Sequence, residues 1–212
     1  MIQVYFDTEF TELSRRGTLI SIGLVDESNH HFYAEFNDYD DDHLNEFVTG
    51  TILPRLRFNK DCIERKSFNN DTVVNVDMRG STEEIKKELK AWFKSLHLNN
   101  YIKNGNEDQI QFYTDCYAYD WMLFAEMMWG NGFDIPKTFS YIPIDLSTAF
   151  WADGIDPDYS REKYAGVLPG DDEQKHNSLW DAEIIKKCFF GLRGEIPIVN
   201  MDEEQVGELR PL

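Results

Sequence analysis

The sequence predicts an α/β fold with a central mixed five-stranded sheet flanked by helices. Two observations carry this: β-branched, apolar runs crowd the first third of the chain, and helical-period segments then alternate with further such runs. Residues 4–6 (Val-Tyr-Phe) form a short apolar strand that ends in acids. Residues 18–25 (TLISIGLV) are largely apolar and β-branched, as a central strand requires. A turn over residues 26–29 leads to a third strand at 31–36, so the opening is a three-stranded meander. Asp40, Asp41 and Asp42 offer N-caps for a helix running towards Thr49, with Gly50 as its stop. Residues 55–80, rich in Asn, Asp and Arg, lack sustained periodicity and predict a long connection. Ser81-Thr82-Glu83-Glu84 opens a helix whose Ile85, Leu89, Trp92, Phe93 and Leu96 recur at helical spacing. A polar loop over 99–108 precedes a fourth strand at 110–114 and a helix at 120–129, closed by Gly130 and Gly132. Residues 139–146 predict a fifth strand. Residues 152–175, with Pro157 and Pro169, predict a loop with one short helix, and residues 178–191 a last helix. One domain is expected over residues 1–194, with 195–212 as a surface tail.

The bulk numbers exclude several classes. The chain has 212 residues, of which 15 are Phe, 10 Tyr and 5 Trp, too aromatic for a disordered protein. Against 39 Asp and Glu stand 21 Lys and Arg, a net charge of −18, which opposes sequence-blind grip on duplex DNA. Cys62, Cys116 and Cys188 are scattered without CxxC or Cys/His spacing, so neither a disulfide framework nor a zinc site is expected. The first acid comes at Asp7, too early for a signal-peptide core, and no apolar run is long enough for a membrane span. A cytoplasmic protein with no membrane partner is the expectation.

Three segments carry candidate chemistry. In Phe6-Asp7-Thr8-Glu9-Phe10, a strand would point Asp7 and Glu9 to one face, where two carboxylates repel unless a cation sits between them. The plain alternative is an exposed strand end with two solvated acids. In residues 110–121 a β-branched strand turns into an apolar helix, at the kind of carboxyl end where open α/β sheets place ligands. Asp120 is there, with a helix N-terminal acid as its alternative role, and Asp115 reads as turn-forming. In His176-Asn177-Ser178-Leu179-Trp180-Asp181, about 140° separates His176 from Asp181 within one helix. They converge only if His176 precedes the helix. The alternative is a capping box from Ser178 to Asp181 beside a surface histidine.

In chain order, Asp-x-Glu, then Asp at a strand–helix junction, then His-x4-Asp resemble the three motifs of the DEDDh 3′–5′ exonucleases, a DnaQ-like branch of the ribonuclease H-like fold. The resemblance spans about residues 2–192. Asp7-Thr8-Glu9-Phe10 with the 19–25 strand, Ala118-Tyr119-Asp120 with Trp129-Gly130, and residues 176–182 are similar to the small bacterial exoribonuclease subfamily. That resemblance implies a ribonuclease H-like fold and two divalent cations, Mg²⁺ or Mn²⁺. It implies Asp7, Glu9 and Asp181 as direct metal ligands, Asp120 as the fourth acid acting through water, and His176 as general base. The implied reaction releases nucleoside 5′-monophosphates from single-stranded 3′ ends. Oxygen-only ligands suit hard ions, and a histidine with an ordinary pKa near 6.5 can accept a proton from water at neutral pH.

Substrate-binding candidates are Phe10 as a stacking surface, Thr8 between the two acids, and Arg15, with Arg16, for a phosphate. Their alternatives are a core aromatic and solvated arginines. Lys86, Lys87, Lys90 and Lys94 form a solvated helical face, and Tyr164 is a candidate lid residue. The partner is a single-stranded nucleic acid 3′ end, RNA favoured over DNA, and homodimerisation is left open. The rival readings are a DNA-directed proofreading or repair exonuclease and a non-catalytic acidic interaction module. Much of the remaining negative charge lies in Asp/Glu-rich stretches such as 38–42 and 153–158. The acidity therefore predicts weak capture of a short stretch of strand.

Overall fold

The computed structural model describes residues 1–14, 16–58, 65–68, 74–106, 108–130, 134–168 and 170–196, with backbone alone at His43, residues 65–68 and Val74. It is an α/β structure built on a mixed sheet. The strands are β1 (Ile2–Phe10), β2 (Leu19–Asp26), β3 (His31–Phe36), β4 (Arg65–Phe68), β5 (Val74–Gly80), β6 (Ile110–Thr114) and β7 (Ile144–Asp145), in the order β4-β5-β3-β2-β1-β6-β7. The opening meander is antiparallel, and β6 then joins β1 in parallel, with β7 parallel to β6. β1 thus has an antiparallel neighbour on one side and a parallel one on the other, as do β3 and β5.

Helices α1 (Thr82–Asn104) and α2 (Tyr117–Trp129) cover one face, and α5 (Ser178–Leu192) covers the other, with the short α3 (Leu146–Ala152) and α4 (Arg161–Tyr164) beside it. Two apolar clusters follow from this layering. One joins Val4, Phe6, Phe32 and Phe112 to Ile85, Trp92 and Phe124. The other joins Tyr5 and Val25 to Phe150, Ile185 and Phe189. At roughly 1.5–3 kcal/mol for each fully buried large side chain, these clusters supply most of the cohesion between sheet and helices.

Several expectations need correction. Among the described residues the sheet has seven strands, because residues 55–80, expected as a connection, contain β4 and β5. In β5, Val76 and Met78 are buried while Asn75, Asp77 and Arg79 alternate with them. That period of two was there to be read, masked by charged side chains that pair on the other face. The 139–146 strand shrinks to Ile144–Asp145 with one bridge between Ile110 and Phe139. Asp145 caps α3 by accepting from Thr148 N at 2.8 Å, which turns the chain into a helix. The helix expected at 40–49 is instead a 3₁₀ turn (Asp41–His43), a π turn (Val48–Ile52) and a second 3₁₀ turn (Leu53–Arg55). The polar residues from Asn99 stay helical up to Gly105, whose φ of 72° ends α1. The stop assigned to Gly132, and residues 197–212 of the expected tail, fall outside the described residues. Among the described residues no helix is long and apolar enough to cross a membrane.

Candidate metal centre

β1 sends alternate side chains to opposite faces. Val4 and Phe6 pack with α1 and α2, while Tyr5 packs with α5. By the same alternation Thr8 lies on the first face and Asp7 and Glu9 on the second. Gly23 on β2 pairs with Asp7. A Cβ at Gly23 would stand 2.2 Å from Leu179 N and 2.3 Å from Leu179 Cα, so bare backbone is what lets the first turn of α5 settle on the sheet. The hydroxyls of Ser21 and Ser178 meet beside it at 3.0 Å. Asn177, not Ser178, caps the helix: its Oδ1 accepts from Trp180 N at 3.3 Å.

This seating brings Asp181 to the two β1 acids. One carboxylate oxygen from each of Asp7, Glu9 and Asp181 lies within 4.8 Å of the others. The electrostatics are those of an uncompensated site. Burial holds the Asp7 carboxyl well above the usual carboxylate range, and Asp120 and Asp181 add repulsion. Glu9 is pushed up to about 9 by burial and then by Asp181 and Asp120, and Asp181 to about 7 chiefly by burial. Three oxygen donors on one cation-sized opening, each reluctant to ionise alone, fit a hard divalent ion.

Asp120 stands apart from this triad. It is 2% exposed, and its two oxygens accept from Thr8 Oγ1 at 2.7 Å and Thr114 Oγ1 at 2.9 Å. Burial raises its pKa to about 6, and these hydroxyls oppose the rise. The Thr8 hydroxyl, expected at the substrate, is thus committed to Asp120. His176 precedes α5, as convergence with Asp181 requires. Its φ of 68° is unusual for a residue with a side chain, and its backbone N–H donates to Asp181 Oδ2 at 2.9 Å. Its Nδ1 is 3.9 Å from Glu9 Oε1, and its ring meets Phe47 edge-on at 5.2 Å. Burial, and then the charges of Lys175 and Arg55, lower its pKa, which favours the neutral imidazole.

The triad lies in an open cleft of about 610 Å³, lined also by Phe10, Phe47, Ile52 and Cys116. Phe10 stacks on Tyr119 with ring centres 5.9 Å apart. Arg15 lies outside the described residues. Asp115 does more than form a turn: Arg161 grips its carboxylate with two bonds of 2.8 and 2.7 Å and also reaches Ser147 Oγ. That fork ties the end of β6 to α3 and α4, and Lys175 pairs with Glu162 at 2.7 Å at the same rim. Tyr164, the candidate lid residue, is instead a core residue against Phe150, 3% exposed. Sequence reasoning did not find Gly23, Asn177, Thr114, Phe47 or Arg161 as parts of the site. Only Asn177 carried a usable local signal, as an N-cap residue type before an apolar run. No protein-family model matches this sequence, and no curated protein matches it either.

Proposed function

We propose that this chain is a metal-dependent 3′–5′ exonuclease that releases nucleoside 5′-monophosphates from single-stranded 3′ ends, RNA favoured over DNA. The observation that carries the reading is the convergence of Asp7, Glu9 and Asp181 on one cation-sized position, with His176 beside them. The antiparallel three-strand opening followed by parallel β6 and β7 is consistent with the ribonuclease H-like fold that the motifs imply.

When bound, divalent ions acidify an attacking water and stabilise charge on the leaving 3′ oxygen. Asp7, Glu9 and Asp181 would hold one ion directly. A second would draw on Asp7 and, through water, on Asp120, whose threonine partners fix its orientation. His176 takes the water's proton at the ring nitrogen facing the triad. Its lowered pKa favours the proton-accepting form, and its backbone bond to Asp181 holds it against the acids. Phe10 offers a face for the terminal base.

The test is incubation with Mn²⁺ and 5′-labelled single-stranded RNA or DNA bearing a 3′-hydroxyl or 3′-phosphate. A ladder shortening from the 3′ end is expected, faster on RNA. A faster DNA ladder would favour a proofreading or repair enzyme, and no cleavage would favour a non-catalytic acidic module. Asp7→Asn and Asp181→Asn should each abolish Mn²⁺-dependent cleavage with an unchanged circular dichroism spectrum, and full activity in either refutes the assignment. His176→Ala should lower the rate about 10²–10⁴-fold while calorimetric Mn²⁺ binding persists. Loss of that binding would make His176 a ligand.

A further inference from the structure

The cleft has a charge asymmetry that the exonuclease reading leaves unused. Of the cations on its rim, Arg161 is forked onto Asp115 and Lys175 is paired with Glu162. Glu12 and Asp158 add negative charge to the same lining. The π turn supplies Phe47, Val48 and Ile52 to the lining, and the chain then runs into Leu53–Arg55, just outside it. There Arg55 Nε donates to Lys175 O at 3.2 Å, and its own carbonyl accepts from Asn177 Nδ2 at 3.1 Å. Arg55 is therefore pinned on both sides of His176, with no carboxylate partner among the described residues. Its neighbour Arg57 is already engaged, stacked 4.6 Å over Tyr33 and bonded to Asn177 Oδ1 at 3.2 Å.

We propose that Arg55 anchors a phosphate of the strand on the 5′ side of the bond that is cut, so that the single strand leaves the cleft across the 47–55 wall. The inference rests on the exonuclease reading for the direction of the strand. Its chemistry is a guanidinium whose two terminal nitrogens take no hydrogen bond among the described residues, in a form suited to bidentate contact with a phosphodiester. Around Asp115 and Glu162 the rim repels a polyanion, because Arg161 and Lys175 are neutralised there and Asp158 adds negative charge. Phe47, 53% exposed, lies along the same path and offers a ring to a base next to the anchored phosphate.

Binding of a fluorescein-labelled seven-nucleotide oligoadenylate is to be followed by anisotropy in Ca²⁺, at pH 8.5 and several salt concentrations. Arg55→Gln should weaken it five- to twenty-fold and make the log Kd against log salt slope shallower by about 0.7, the loss of one phosphate contact on a single strand. Arg55→Lys should recover part of the affinity. Lys163→Gln, which removes the same charge from exposed α4, should weaken binding less than two-fold. Melting temperatures for each variant exclude misfolding. The proposal is overturned if Arg55→Gln and Lys163→Gln behave alike, if the salt slope does not change, or if the wild type does not bind. A separate assay with the p-nitrophenyl ester of thymidine 5′-monophosphate and Mn²⁺ tests the chemistry alone. No hydrolysis there overturns the nuclease reading, while the anisotropy still decides the role of Arg55.

Discussion

Glu9, Asp181 and Asp120 are raised to about 9, 7 and 6, so each prefers its proton in the folded protein more than in the unfolded chain. For a carboxyl raised on folding, the stabilising contribution is complete below about pH 4 and disappears as pH climbs through the folded value. Metal-free protein should therefore melt at progressively lower temperature between pH 5 and 9. Saturating Mn²⁺ should remove most of that slope by binding the ionised form. Differential scanning fluorimetry in EDTA and in Mn²⁺ checks this, and a flat EDTA profile would show that these carboxyls are not raised by their burial. Gly23 is the other decisive single residue. Gly23→Ala drives a methyl into Leu179 backbone, and either α5 or β2 must give way. The expected cost is about 1–3 kcal/mol in urea unfolding, with weaker calorimetric Mn²⁺ binding because Asp181 moves with α5. Nothing in LISIGLVD marks this glycine as a docking point. Its meaning comes from a helix more than 150 residues further on.

At the scale of elements, the strongest signals were those confined to one segment. β2 and β3 come from continuous apolar runs and are legible at close to their true lengths, while the helical spacing of α1 marks its start but not its polar last turns over Asn99–Asn104. β1 was read three residues long and spans Ile2–Phe10, because its acids looked like an ending when they are still paired to β2. The period of two in β5 is hidden because its polar positions include a charge that meets His31 and Arg57 from other segments. Asp77 lies 3.1 Å from His31 Nε2. The acids at Asp7, Glu9 and Asp181 were legible by their order along the chain. The Asp115–Arg161 fork joins residues 46 apart with no periodicity to announce it. Removing its anion leaves the Arg161 side chain, 15% exposed, without its counter-charge. Asp115→Ala should thus cost about 3–5 kcal/mol and loosen α4 from β6, read as earlier amide hydrogen exchange in residues 158–165. Exchange unchanged from wild type would show the fork to be incidental.

For the whole molecule, the net −18 sets the terms of any encounter with a polyanion. Four of those charges sit at the candidate site, where cations would offset them, and the remainder is spread over surface stretches. Ions that bind only the folded protein add RT ln(1 + [L]/Kd), about 2.7 kcal/mol at a hundredfold excess over Kd. The melting temperature should accordingly rise with millimolar Mn²⁺, and a constant value would argue against a formed site. One consequence follows from β1 lying between the two apolar clusters. The strand acts as a partition: odd-numbered side chains serve one half of the molecule and even-numbered ones the other, with the metal acids and the Thr8–Asp120 tether on opposite sides. Deleting a single residue between Val4 and Phe6 would exchange the two populations. It would drive Asp7 and Glu9 into the apolar layer beneath α1 and α2 and leave a threonine facing the cleft. The parity of this strand is thus a constraint on insertion and deletion as strict as the identity of any acid it carries.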